Sequence, residues 1–360
     1  MIAPLGHIDK MSPYALAKLD PPPGKSLMSL SQNESLRPPS PRAIAAATKA
    51  LQNCALYPDP DWHDLRHGLA QLHGIDADGI LCGNGSLDLI GCLARAYTGP
   101  GRAVLIPEHA YPFFRTAAQM AHARIDTATE RGTTVCVDAL LEAVREDTAL
   151  VCVANPGNPT GTRIPGTELR RLRAGLPETT LLVIDEAYGE FAEHLSEPVF
   201  DMVAGGSTII LRTFSKAYGL AGMRVGWGLF PADLAGTLRK VMNPNGVTLA
   251  SQAAAMAALA DQDHMRETCA LTAELKDFAV LRLGQLGLHV QPSHTNFVLI
   301  QLEDADAARQ ADATLRREGI FLRGQGGAGL GHCLRMTIGD RRGLLAAIGV
   351  FERLHLGKQS

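Results

Sequence analysis

Four short runs in this chain, Val104-Leu-Ile106, Leu150-Val-Cys-Val153, Leu181-Leu-Val-Ile184 and Ile209-Ile-Leu211, are apolar at every position and too short to make a helix. A strand with one wet face alternates apolar and polar residues, so strands apolar throughout are expected to be buried on both faces. Segments with helical spacing separate the runs. Alternation of that kind predicts an α/β fold, a three-layer αβα domain whose mainly parallel sheet carries helices on both sides.

With 360 residues the chain is longer than one core usually fills, roughly 250 to 300 residues. Pro21-Pro-Pro-Gly24 and Pro38-Pro-Ser-Pro41 bracket a lead-in that can be neither helix nor central strand. A helix is expected over Arg42 to Ala55, ended by Tyr57-Pro-Asp-Pro60. A second follows through Trp62, Leu65, Leu69 and Leu72 and stops at Gly74. Past about Asp263 the pattern changes. A long charged helix (Met265 to Leu286) leads to a strand over Asn296 to Ile300, a helix near Ala307 to Glu318, and strands around Ile320 to Leu322 and Leu334 to Ile338. The expected organisation is a large domain over 48–264 and a smaller α+β domain over 265–360, which the segment 1–47 joins.

Charge narrows the partners. Lys and Arg number 34 against 37 Asp and Glu, a net charge of −3, without the basic excess that nucleic acid or an anionic membrane surface requires. No run approaches the roughly 18 to 20 apolar residues of a membrane span, and the first 20 residues lack a secretory pattern. Seven cysteines, an odd number without a C-x-x-C pair, read as reduced thiols of a cytoplasmic protein. A small-molecule partner is expected.

In open α/β sheets ligands bind outside the carboxyl ends of the strands. Three of the apolar runs finish there in polar residues: Asn155-Pro-Gly-Asn158-Pro-Thr-Gly161, Asp185-Glu-Ala-Tyr188 and Arg212-Thr-Phe-Ser-Lys216. Lys216 is either a solvated surface lysine or a desolvated amine with a lowered pKa, the type that forms Schiff bases. Asp185 is either a cap or a buried carboxylate that needs a cationic partner. Gly83-Asn-Gly85-Ser86 opens a helix and offers free N–H groups to an anion, though the same residues also make an ordinary strand-to-helix turn. Arg224 adds a bidentate phosphate partner. An anion cradle, an imine-forming lysine and a buried carboxylate together suggest pyridoxal 5'-phosphate, which needs all three.

These segments, with Ser215-Lys-Ala-Tyr-Gly-Leu-Ala-Gly-Met-Arg224, resemble the motifs of fold-type I pyridoxal-phosphate-dependent aminotransferases of class I and II, in order and over nearly the whole chain. Tyr57-Pro-Asp-Pro60, Gly83-Asn-Gly-Ser86 and Leu334-Arg335-Met-Thr-Ile-Gly339 are most similar to histidinol-phosphate aminotransferases. The resemblance implies transfer of an amino group from a donor, histidinol phosphate or an L-amino acid, to a 2-oxo acid such as 2-oxoglutarate. It implies Lys216 as Schiff-base and proton-shuttling residue, Asp185 at the pyridine nitrogen, and Asn158 and Tyr188 at the phenolate oxygen. Gly85, Ser86, Leu87, Thr213, Ser215 and Arg224 would surround the phosphate. Tyr111 would cover the ring, with His109 and Phe113 as alternatives, and Tyr57 would reach the site of the neighbouring subunit in a homodimer. Arg335 would bind a substrate acid group, Arg323 a substrate phosphate, and Asn33 the substrate. A decarboxylase or lyase of the same fold, similar to threonine-phosphate decarboxylase, is the alternative.

Ser31-Gln-Asn-Glu-Ser-Leu-Arg37 departs from the family's Asn-Glu-Asn-Pro-x-Gly pattern, retaining Asn33 and Glu34. His63 and His67 have zinc-like spacing but no third ligand, and no metal is expected. Gly324-Gln-Gly-Gly-Ala-Gly-Leu-Gly331 has dinucleotide-loop spacing but precedes a strand-like segment, and reads as a mobile loop at the mouth of the site.

Overall fold

The computed structural model describes residues 2–12, 18–195 and 197–359; Met1, positions 13–17 and Ser360, parts of the expected 1–47 and 265–360 segments, lie outside the described residues, as does Ser196. Its main sheet has seven strands. From one edge to the other they are Ile80–Gly83, Gly226–Leu229, Thr208–Thr213, Leu181–Asp185, Thr148–Ala154, Ala103–Pro107 and Arg124–Ala128. Gly226–Leu229 runs antiparallel to both its neighbours, and the remaining pairings are parallel. The four apolar runs are central strands, buried along their whole length, as their composition demands.

Three of the seven strands, the short Ile80–Gly83 among them, lie outside the four apolar runs. Arg124–Ala128 is an edge strand, half exposed, and its mixed sequence has no continuous apolar face. Gly226–Leu229 contains two glycines, which weaken any strand signal. Its Gly226 is demanded by contact: a Cβ there would lie 2.3 Å from the Ser86 backbone nitrogen.

The flanking helices follow their caps. Pro41–Ala50 starts at Ser40, whose side chain accepts from the Arg42 N–H, and ends five residues earlier than expected, in a 3-10 turn over Leu51–Asn53. His63–His73 closes on Gly74 at φ +65°. Leu249–Leu259 is capped by Thr248.

A second, antiparallel sheet orders its strands Arg323–Gln325, Leu330–Thr337, Phe297–Gln301 and His289–Val290. It has its own apolar core, which includes Leu30, Leu275, Ala279, Val298, Leu315, Leu334 and Phe351. Met28–Ser29 joins this body by pairing with Ile320–Phe321, whereas Ala43 and Ala47 pack in the core of the large sheet. Helix Gln262–Gln285 spans both cores, with Met265 in the first and Leu275 in the second. The Gly-rich run 324–331 is not a free loop. It forms the end of one strand, a 3-10 turn over Gly326–Ala328 and the start of the next strand. Among the described residues no helix is long and apolar enough to cross a membrane.

Candidate active site

The carboxyl ends of the central strands, the N-terminal segment 31–34 and the hairpin of the second sheet enclose a cavity of about 380 Å³. Every expected site residue lines it except Tyr57, which is 85 % exposed and lies outside.

The strand ends place the polar groups. Asp185 terminates its strand at 3 % exposure, and its Oδ1 accepts from the Ala187 N–H at 3.0 Å. Burial lifts its carboxyl to about 7, and neighbouring Glu186 pushes the same way. Lys216 lies three residues past the adjacent strand. Its Nζ donates to the carbonyls of Asn33 (3.0 Å) and Gln32 (3.4 Å) and sits 5.9 Å from the centre of the Tyr188 ring. Burial lowers this amine to about 8, and the Arg335 and Arg224 charges add to the effect against the opposing Glu34 and Asp185. These surroundings favour the second of the two readings its sequence allowed, the desolvated amine, over a solvated surface lysine. Tyr188 is buried edge-on against Phe297, and its hydroxyl accepts from Asn33 Nδ2 at 2.7 Å.

Opposite, helix Ser86–Tyr97 points its first N–H groups into the cavity, with Gly85 at φ +84° as its N-cap. Any Cβ at Gly85 would lie 2.5 Å from Arg224 Nη2. Arg224 is itself in the left-handed region, at φ +52°, and is tied by Nη1 to the Ala221 carbonyl at 2.9 Å. Thr213 and Ser215 are joined by hydroxyls 3.0 Å apart. Two N–H groups, two hydroxyls and a guanidinium line the same cavity, a set of donors that can hold an anion. Gly226 lets the seat rest directly on its neighbouring strand.

Of the three aromatic candidates, Tyr111 lines the cavity, packed edge-on to Phe114. Phe113 packs against the large core, and the His109 ring instead bonds the Ala328 carbonyl at 2.7 Å.

Arg335 and Arg323 come from the second sheet, where they are register partners on adjacent strands. Arg335 donates to Asn158 Oδ1 at 2.5 Å and to the Ser31 carbonyl at 2.8 Å. Asn158 stands between two cis Asn-Pro bonds, Asn155-Pro156 and Asn158-Pro159. Asn33, at φ +55°, is more connected than the sequence suggested. Its N–H donates to Thr337 Oγ1 at 2.9 Å, and its carbonyl accepts from Lys216 and from Asn296 Nδ2.

The sequence reading did not assign Ser31, Gln32 or Gln325 to the site. The first two take part through main-chain carbonyls, which any residue type supplies. It also missed the support beneath: Arg212, just before Thr213, is buried and donates to Glu186, just after Asp185, at 2.9 Å. Charged residues inside both strand-end motifs were the available signal. Among the described residues no three His, Cys, Asp or Glu side chains are grouped to hold a metal ion.

Residues 25–351 match the family model for aminotransferase class I and II. The chain belongs to this family. A histidinol-phosphate aminotransferase of Paramagnetospirillum magneticum is 42 % identical over 317 residues, 87 % of each chain. Another, from Cereibacter sphaeroides, is 37 % identical over 333 residues, 92 % of each. The crystal structure of histidinol-phosphate aminotransferase from Sinorhizobium meliloti in complex with pyridoxal-5'-phosphate superposes with a TM-score of 0.88 at 34 % identity, covering 92 % of both chains. This aminotransferase is a fold-type I, pyridoxal-phosphate-dependent enzyme acting on small molecules. Its residues fit the cofactor: an anion seat in which Gly85 leaves Arg224 room, a buried carboxylate and a desolvated lysine line one cavity.

Proposed function

We propose that this aminotransferase takes its amino group from histidinol phosphate and passes it to a 2-oxo acid such as 2-oxoglutarate. The observation that carries the reading is the pair Arg323 and Arg335, in register on neighbouring strands and lining the same cavity as Lys216. Two guanidinium groups at one end of a cavity suit a phosphate dianion better than a single carboxylate does. The 42 % and 37 % identical relatives carry the name of the same activity.

Pyridoxal phosphate, when bound, supplies an electron sink for the pair left at the substrate α-carbon. The placement of the residues supports the following roles. The N–H groups of Ser86 and Leu87 at Gly85, the hydroxyls of Thr213 and Ser215, and Arg224 hold the phosphate. Asp185 would pair with the ring nitrogen and keep it protonated. Asn158 and Tyr188 would donate to the phenolate oxygen, and Tyr111 would cover the ring and exclude water. Lys216 Nζ takes the proton from the substrate α-carbon and returns it; an amine near 8 suits that exchange at neutral pH better than an ordinary lysine. Asn33, whose neighbours are Lys216 and Tyr188, shapes the substrate side.

A homodimer belongs to the same reading. Leu51, Leu56 and Tyr57 are large apolar side chains left exposed close together in the chain, and a second copy covering them brings Tyr57 to the partner's phosphate seat. The matching compartment is the cytoplasm, since all seven cysteines are free thiols.

The test is a panel of amino donors with wild type and Arg323→Ala. Histidinol phosphate is expected to be the best donor, and the substitution to lower its kcat/KM by about tenfold to a hundredfold while sparing aromatic amino acids. Equal loss for both classes of donor would refute the phosphate role of Arg323.

A further inference from the structure

The Gly-rich run 324–331 and His109 are not used by the chemistry above, yet they meet. His109 lies in the loop between strand Ala103–Pro107 and helix Pro112–Met120, two residues before Tyr111, and so belongs to the large sheet. Its imidazole is buried, and Nδ1 lies 2.7 Å from the Ala328 carbonyl oxygen. A carbonyl only accepts, so Nδ1 carries the proton. Ala328 is in the turn that joins the strand of Arg323 to the strand of Arg335 in the other sheet. The turn needs its glycine: Gly329 follows at φ +76°, a backbone conformation that side chains rarely adopt, and a Cβ there would lie 3.6 Å from the His109 ring. Buried Gln325 extends the connection by donating from Nε2 to the Arg323 carbonyl at 2.9 Å. On the other side His109 is anchored by its own N–H, which donates to Glu130 Oε1 at 3.2 Å.

We propose that His109 is a positioning residue for the amino donor, latching the hairpin that carries Arg323 and Arg335 to the loop that carries Tyr111. The groups around the ring come mainly from the large sheet and its loops, whereas both arginines come from the small one. Their separation across the cavity is therefore set by contacts between the two bodies. The His109 bond is one of these, and it acts on the turn connecting the two strands concerned. The proposal rests on the reading of Arg323 and Arg335 as donor-binding residues.

The experiment compares wild type, His109→Leu and His109→Asn. Asn keeps an N–H donor at a similar reach, whereas Leu keeps the bulk alone. Amide hydrogen exchange over 324–331 is measured first, on the cofactor-free protein. His109→Leu is expected to speed exchange there by about fivefold or more, and His109→Asn to restore most of the protection, in keeping with one neutral hydrogen bond. Steady-state kinetics with histidinol phosphate follow. KM is expected to rise about fivefold to tenfold in His109→Leu, with kcat and the affinity for pyridoxal phosphate within about twofold of wild type, and Asn is expected to rescue KM.

Unchanged exchange in His109→Leu overturns the latch. Faster exchange with unchanged KM overturns its role in donor binding, and a parallel loss of cofactor affinity, kcat and Tm that Asn does not relieve reduces it to a general structural contact. Failure of wild type to accept histidinol phosphate overturns the substrate reading instead, and the exchange arm still decides the latch.

Discussion

Arg335 donates to Asn158 across the cavity at 2.5 Å, joining a strand of the small sheet to a loop of the large one. With its oxygen engaged, the Asn158 amide has its N–H groups to offer to a ring oxygen. On the proposed reading Arg335 would face the donor while setting which half of Asn158 faces the cofactor. Arg335→Ala is expected to raise KM by about tenfold to a hundredfold for every donor, aromatic amino acids included, and to shift the visible absorption maximum of the bound cofactor as Asn158 loses its partner. Steady-state kinetics and an absorption spectrum check this; an effect confined to histidinol phosphate would contradict it.

Asp185 gives the cofactor-free enzyme a distinctive pH dependence. Its carboxyl sits at about 7 in the fold, against an ordinary value of 3.8. Between those values the folded chain keeps a proton that the unfolded chain has lost, so this contribution to stability is present at low pH and disappears as pH rises toward 7. The slope is at most about 1.4 kcal/mol per pH unit for one group. Buried Glu190, also lifted to about 7, acts in the same direction. Thermal melts from pH 5 to 7 are expected to show a shallower fall in Asp185→Asn than in wild type. Identical slopes would show that Asp185 does not hold its proton.

Lys216 has the opposite sign. Lowered to about 8, it is half neutral near that pH, where an ordinary lysine is almost wholly charged. Only the neutral amine is a nucleophile. Covalent uptake of pyridoxal phosphate, followed by visible absorbance, is expected to speed up with pH and level off above about 8 instead of climbing toward 10.5. Lys216→Ala should abolish the visible band and lower turnover by roughly ten-thousandfold. A rate still rising steeply at pH 9.5 would mean that Lys216 titrates as an exposed lysine.

The central strands were legible because burial on both faces leaves a mark in composition, and the polar strand ends because parallel topology collects them in one place. Asn158, Asp185, Tyr188 and Lys216 could therefore be read together. What was not legible depends on contacts between distant segments. Ser31 and Gln32 take part through carbonyls, and Gly226 is needed only because Ser86 approaches it. The run 324–331 reads as flexible until its pairing with Leu330–Thr337 and its bond to His109 are seen. Asn33 was identified, but not as the residue to which Tyr188, Lys216, Asn296 and Thr337 are all bonded.

The division of the cavity between two sheets has a consequence for how such an enzyme changes over time. Lys216, Asp185 and Thr213 stand at or just past the ends of strands whose apolar positions are buried in the large core, so substitutions there put the chemistry itself at risk. Arg323 and Arg335 stand on a hairpin with a separate core, closed by a short glycine-rich turn. New donors can be recruited by rewriting that hairpin while the reaction is inherited intact.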